Sequence, residues 1–175
     1  MPDRVPPGLF DPREIILTLA RAKVEFILVG GVAVQAHGYV RATQDLDIVP
    51  KPDLLNLSRL GEALAELEAA PLHASAAVDV TDPQILKRVP MIPLVTRFGR
   101  LDLINAKHAS GSPGSYEALR DGAVSANVGG EEVLVAGLDH LLRMKRAAGR
   151  PQDLDDIGAL TRDDQGLERE AREST

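Results

Sequence analysis

Two acids two residues apart, Asp45 and Asp47, follow a glycine pair, Gly30-Gly31, with Val32 to Gln44 between the pair and the first acid. In an extended strand residues i and i+2 point to one face, so the two carboxylates stand side by side while Leu46 and Ile48 turn the other way. Adjacent carboxylates repel each other unless a cation neutralises them. Mg²⁺ suits such a pair, being a hard ion that takes carboxylate, water and phosphate oxygens at about 2.0–2.1 Å; Mn²⁺ could replace it. The glycines end an apolar run at Val29 and open a helical pattern. Glycine lets backbone approach a ligand closely, and a helix start offers unpaired N–H groups at the positive end of the dipole, which suits a phosphate chain. A two-metal site needs a further carboxylate to complete the shell and activate an attacking hydroxyl. Asp102, between Leu101 and Leu103, is the best candidate, with Asp79 and Asp82 as rivals in a less strand-like segment. Each feature also has a plainer reading. A glycine pair after a strand is often only a tight turn, Asp-x-Asp is often a solvated strand face, and Asp102 could be an edge-strand acid paired with Arg100 or Arg97.

The surrounding pattern predicts the elements that must hold these groups. Asp11 caps a helix over Pro12–Ala22, with Pro12 at its first position and Glu14 three residues after the cap. Phe26–Val29 reads as a buried strand, Val32–His37 as a helix stopped by Gly38, and Asp45–Val49 as a second strand. Leucines 54, 57, 60, 64 and 67 form a helical stripe within Leu54–Ala70. A weaker strand is expected at Ala76–Val80 and a short turn or helix at Pro83–Arg88. A hairpin of Ile92–Phe98 with Leu101–Ile104 follows, Pro93 suggesting an edge strand. A short helix is expected at Tyr116–Arg120. Ala123–Val128 and Glu132–Val135 flank Gly129-Gly130 as a second hairpin. Leu138, Leu141, Leu142 and Lys145 share a side of a helix that Gly149 stops, and Pro151 starts another reaching about Leu160.

Composition sets the outer bounds. The 175 residues suit one compact domain or one with a small helical appendage, and 44% hydrophobic with 26% charged residues excludes a wholly disordered chain. Cysteine is absent, so thiolate zinc sites, disulfides and cysteine nucleophiles are excluded. A net charge of −6 with 3% aromatics argues against a general nucleic-acid coat or base-stacking platforms. Leu141 to Arg150, with four bases and no acids, keeps a local basic surface open. No apolar run approaches the roughly 20 residues of a membrane span, and Met1–Pro7 shows no secretion signal, so a cytoplasmic protein is the expectation. The segment Asp163–Thr175, rich in acids, is expected to be disordered.

The glycine pair, the spacer, Asp45 and Asp47 on a strand and Asp102 on a later one resemble the nucleotidyltransferase superfamily of DNA polymerase β type. The run His37-Gly-Tyr-Val-Arg-Ala-Thr-Gln-Asp-Leu-Asp47 resembles, more narrowly, the AbiEii-like nucleotidyltransferases of toxin–antitoxin systems. So does Leu142-Arg-Met-Lys-Arg-Ala-Ala-Gly-Arg-Pro-Gln-Asp-Leu-Asp-Asp-Ile157, a basic helix followed by Arg-x-x-Asp-x-x-Asp. The resemblance spans roughly residues 24–160. It implies an α/β (α+β) fold, a mixed central β-sheet flanked by helices with short C-terminal helices. The corresponding divisions are a nucleotidyltransferase core over 1–136, a C-terminal helical pair over 137–162 packing on it, and the tail 163–175. It also implies Mg²⁺-dependent transfer of a nucleoside monophosphate from an NTP to an acceptor hydroxyl with release of pyrophosphate. Asp45, Asp47 and Asp102 would be the catalytic and metal-binding acids, with two ions expected, and Gly30 and Gly31 would hold the triphosphate. Arg41 could meet a phosphate and Thr43 could orient Asp45, or both could simply order the loop. Lys145 is the expected triphosphate contact, against a solvated helix face. Asp153 is a helix cap or a support of the site, while Asp155 and Asp156 are expected at the surface. His37 reads as a helix C-terminal residue, and His73, His108 and His140 lack ligand spacing. The acceptor could be RNA such as a tRNA end, a protein or a small molecule, with a cognate antitoxin as a further partner and no membrane. The rival readings are an antibiotic-modifying nucleotidyltransferase and a non-catalytic nucleotide-binding or interaction module.

Overall fold

The computed structural model of the chain describes residues 10–39, 42–73 and 78–161. Arg41 and the segment Asp163–Thr175 lie outside them, as does Met1–Pro7. Four apolar residues with no polar interruption make β1 (Phe26–Val29), buried along its whole length at the centre of the sheet. A strand covered on both faces requires that continuous apolar run. β2 (Asp45–Pro50) alternates instead, with Leu46 and Ile48 buried and Asp45 and Asp47 partly open. Beyond these lie β3 (Ala70–Pro71), β4 (Met91–Thr96), β5 (Gly99–Ile104), β6 (Val124–Val128) and β7 (Glu131–Val135). They form one mixed sheet in the order β3–β4–β5–β2–β1–β7–β6. β2 is antiparallel to β1 and parallel to β5, and β1 is parallel to β7.

The helices are α1 (Pro12–Arg21), α2 (Gly30–Ala36), α3 (Leu54–Glu66), α4 (Pro83–Arg88), α5 (Tyr116–Asp121) and α6 (Leu138–Ala148). A further helix, α7, occupies 151–161. The main core joins Ile15, Ile16 and Leu19 of α1 and Leu57, Leu60 and Leu64 of α3 to the inward residues of β1, β2 and β5. A second, smaller cluster of Val34, Leu142 and Leu160 fastens α6 and α7 to α2. Asn56, 1% exposed, holds β1 and β2 in register. Its Oδ1 accepts from the Glu25 backbone N–H at 2.7 Å, while its Nδ2 donates to the carbonyls of Glu25 and Lys51, both at 2.9 Å. That clip sits where the two strands meet at their far ends and so fixes which residue of β2 faces Val29 at the other end.

Most predicted elements are present within a residue or two, and four depart. Residues 78–80 are not a strand, and the short strand lies at Ala70–Pro71. The Asp79 carboxylate accepts from Thr81 N at 2.9 Å and Thr81 Oγ1 at 2.6 Å, a local turn that competes with ladder pairing. Helix α3 stops at Glu66 rather than Ala70, because Glu68 takes a left-handed backbone with φ 55°. Helix α2 begins at Gly30 itself, two residues earlier than expected. Finally, β4 is not an edge strand, since β3 pairs outside it. The Pro93 carbonyl accepts from Leu72 N at 2.9 Å, so its nitrogen, on the same side of the strand, faces the short β3 and removes nothing from the β4–β5 ladder.

Candidate active site

The register of the three central strands brings the acids together. Asp47 of β2 lies opposite Val29 at the C-terminal end of β1 and directly opposite Asp102 on β5. Facing residues of a parallel pair share a face, so Asp47 and Asp102 stand side by side, with Asp45 two positions away on that face. Leu46, Ile48, Leu101 and Leu103 point the other way into the main core. The rivals are placed elsewhere: Asp79 closes its own turn and Asp82 caps α4 by accepting from Gln84 N.

Gly30 completes the corner. It has φ +64°, and a Cβ added there would lie 1.9 Å from Asp47 Oδ2 and 2.7 Å from its Cγ. The chain can pass from β1 into α2 against the Asp47 carboxylate only if residue 30 has no side chain. Gly31 is buried in the first turn of α2. Thr43 Oγ1 donates to the Asp45 carbonyl at 3.2 Å and to Asp45 Oδ1 at 3.4 Å. His37 caps the C-terminus of α2, and its Nε2 lies 2.9 Å from the Ala136 carbonyl. A carbonyl only accepts, so Nε2 carries the proton, and the ring fastens α2 to the end of β7.

The electrostatics are those of crowded acids. Burial first, then the charges of Asp45 and Asp102, raise the Asp47 carboxyl from 3.8 to about 7, against the pull of Arg150 and Lys145. Burial also raises Asp102, with Asp45 adding and Arg100 opposing. Asp102 is 6% exposed and its Oδ1 has no hydrogen-bond partner. Arg97, the other cation weighed for it, pairs with Glu68 at 3.7 Å, and Arg100 acts on it only through space. Among the described residues no three acids or imidazoles already converge on a single metal position. The donor set nevertheless fits a hard cation. It is all oxygen, its charges form no salt bridge among the described residues, and one buried carboxylate oxygen, Asp102 Oδ1, is orphaned.

A second polar cluster lies beside the acids, on α6 and α7. Lys145, buried on the apolar side of α6, donates to Asp156 Oδ2 at 2.6 Å and to Asp153 Oδ1 at 3.4 Å. Asp156 is 1% exposed, which corrects its expected place at the surface; Asp155 is exposed. Asp153 is not the helix cap itself. It sits three residues after Arg150 and reaches back to the Arg150 backbone N–H at 3.1 Å, the acidic half of a capping box. It also accepts from Arg150 Nε at 2.9 Å. Burial pushes the Asp153 carboxyl up, but the Arg150 hydrogen bonds outweigh it and hold the group below its ordinary value. Sequence reasoning missed Asp156. The usable signal was Lys145 itself, because a lysine in a leucine stripe needs acids from a neighbouring element, and 153 and 156 share one face of a helix.

Gly30→Ala is expected to destabilise the protein by about 1–3 kcal/mol through forced φ and contact with Asp47. It is also expected to weaken Mg²⁺-induced stabilisation; thermal melts with and without Mg²⁺ read both effects.

No protein-family model matches the chain, and no curated protein matches it. Solved structures do. A Thermotoga maritima protein assigned provisionally to the nucleotidyltransferases superposes with a TM-score of 0.52 at 9% identity, over 88% of this chain and 96% of that one. An antigenic nucleotidyltransferase-like protein of Paracoccidioides brasiliensis superposes with a TM-score of 0.53 at 16% identity, over 87% of this chain and 77% of that one. The chain has the nucleotidyltransferase fold, a mixed seven-stranded sheet flanked by helices.

Proposed function

We propose that the protein is an Mg²⁺-dependent nucleotidyltransferase that moves a nucleoside monophosphate from an NTP to an acceptor hydroxyl. The observation that carries this reading is the in-register pairing of Asp47 with Asp102, with Asp45 on the same face and Gly30 in contact with Asp47. Asp45, Asp47 and Asp102 are the residues that would hold Mg²⁺ or Mn²⁺, which would neutralise their repulsion and stabilise charge at phosphorus. Gly30 and Gly31 open space beside the acids for the triphosphate, and Thr43 keeps Asp45 turned to the site. Asp102, raised by burial, takes the proton of the acceptor hydroxyl. The hydroxyl oxygen forms its bond to the α-phosphorus, the bond between the α- and β-phosphates breaks, and pyrophosphate leaves. Most of the acceleration comes from holding the hydroxyl and phosphorus in line and from fixed charge around them. The toxin role of AbiEii-like enzymes, with a cognate antitoxin, is the narrower form of this proposal, supported by the two sequence runs that carry the resemblance. Among the described residues no helix is long and apolar enough to cross a membrane.

The test is incubation with each α-³²P-labelled NTP, Mg²⁺ and cell extract. Wild type is expected to label an RNA, protein or small-molecule fraction, and Asp45→Ala and Asp47→Ala are expected to label none. Absence of label in every fraction, together with no metal-dependent NTP binding, would leave a binding module of the same fold.

A further inference from the structure

A lysine and an arginine stand beside the acids, and the structure gives them different work. The Lys145 side chain is 6% exposed, and two buried carboxylates share its ammonium. A phosphate could reach it only by displacing one of these buried acids from the ammonium. The Arg150 side chain is 75% exposed. Its Nε donates to Asp153 Oδ2 at 2.9 Å and its Nη2 to Asp153 Oδ1 at 3.4 Å, while Nη1 has no partner among the described residues. One edge of the guanidinium fork is therefore anchored and the other is open to solvent. The anchor is itself fixed, since Asp153 is 2% exposed and bound to Lys145, which is bound to Asp156. The cluster is held beside the acids: Leu142 of α6 and Leu160 of α7 pack on Val34 of α2, the helix that opens at Gly30 against the Asp47 carboxylate, and the charges of Asp47 and Asp45 act on Arg150.

We propose that Arg150 is the cation that grips the triphosphate, and that Lys145, Asp153 and Asp156 are the buried pedestal that aims it. This rests on the nucleotidyltransferase reading above and assigns a residue within that site. A planar fork with free N–H donors matches phosphate oxygens, and anchoring it beforehand removes rotamer entropy that binding would otherwise cost. Lys145 and Asp156 act through Arg150 and are positioning residues.

The experiment is calorimetric titration of the full chain with Mg²⁺ and α,β-methylene analogues of the four NTPs in turn, each against its NMP. Arg150→Ala is expected to weaken the triphosphate analogue on the order of ten- to a hundredfold. The NMP, which lacks the β- and γ-phosphates, should change by less than about twofold. Arg150→Lys should recover only part of the loss, because an ammonium cannot hold Asp153 and a phosphate with one rigid fork. Arg150→Gln keeps the stem over the helix start and gives the same comparison if the alanine variant melts early. Equal triphosphate affinity in wild type and Arg150→Gln, or an equal loss for NTP and NMP, would overturn the assignment while leaving the nucleotidyltransferase reading intact. Failure of the wild type to bind any of the four analogues would overturn both.

Discussion

At about pH 8, Asp47→Asn is expected to melt higher than the wild type with a chelator present and, with Mg²⁺ supplied, to lose nucleotide transfer by about 10³-fold or more. Asparagine keeps the shape of the side chain, so the Gly30 contact survives and only the charge is removed. That charge is unfavourable in the fold. Burial and the neighbouring Asp45 and Asp102 lift the Asp47 carboxyl from 3.8 to about 7. Below about pH 3.8 the group is protonated in folded and unfolded chains alike and contributes nothing. Between that value and about 7 the unfolded chain releases a proton that the fold retains, so stability falls as pH rises. Above about 7 the deficit is complete, on the order of a few kcal/mol, and it disappears in the variant. A pH series of thermal melts should show this slope in wild type and not in Asp47→Asn. Added Mg²⁺ should raise the wild-type melting temperature most at the alkaline end, where Asp47 is ionised, and should raise the variant less. A variant that melts lower than wild type at every pH would place the Asp47 carboxylate in a supporting hydrogen-bond role and contradict the repulsion described here.

The same residues show how far the sequence could be read. Asp45 and Asp47 were legible because alternation with Leu46 and Ile48 fixes both the strand and the face, and a strand has only two faces. Asp102 was legible because an acid between two leucines must turn away from them. Its direct opposition to Asp47 was not, since strand order and register depend on contacts distant in sequence, such as Asn56 bridging Glu25 and Lys51. The strand at Ala70–Pro71 escaped because two residues carry no periodicity, and the apolar segment near Val80 misled because Asp79 satisfies its backbone locally with Thr81. Gly30 was legible as a close approach but not as the start of a helix, a distinction that lies in one left-handed φ. The cluster on α6 and α7 was half legible. The motif identified Lys145 and Asp153, but burial of Asp156 follows from α7 folding back over α2, which no local pattern encodes.

Lys145→Met should be the most destabilising substitution in the C-terminal helices. Methionine fills similar volume against Leu141 and Leu142, so the packing loss is small and the electrostatic loss dominates. Without the ammonium, Asp156 at 1% exposure and Asp153 at 2% exposure remain as buried carboxylates. Removing one partner of such a cluster costs about 3–5 kcal/mol, far more than the net worth of the intact pair, because the acids keep their burial and lose the ammonium they share. In a chain of this size that corresponds to a fall of about 10 °C or more. In the wild type Asp153 is held below its ordinary value, so its stabilising contribution is full above that value and is lost as pH drops through the lowered one. Lys145→Met combined with Asp156→Asn should recover part of the stability, the remainder reflecting Asp153, which keeps Arg150. Hydrogen exchange would locate the damage: amides of 151–161 should lose protection before those of β1 and β2, since Leu142 and Leu160 tie the last helix only to the small cluster around Val34. Uniform loss of protection across the sheet, or an unfolding free energy from urea titration within about 0.5 kcal/mol of wild type, would show that the buried lysine and its acids are not what fastens α7 beside the site.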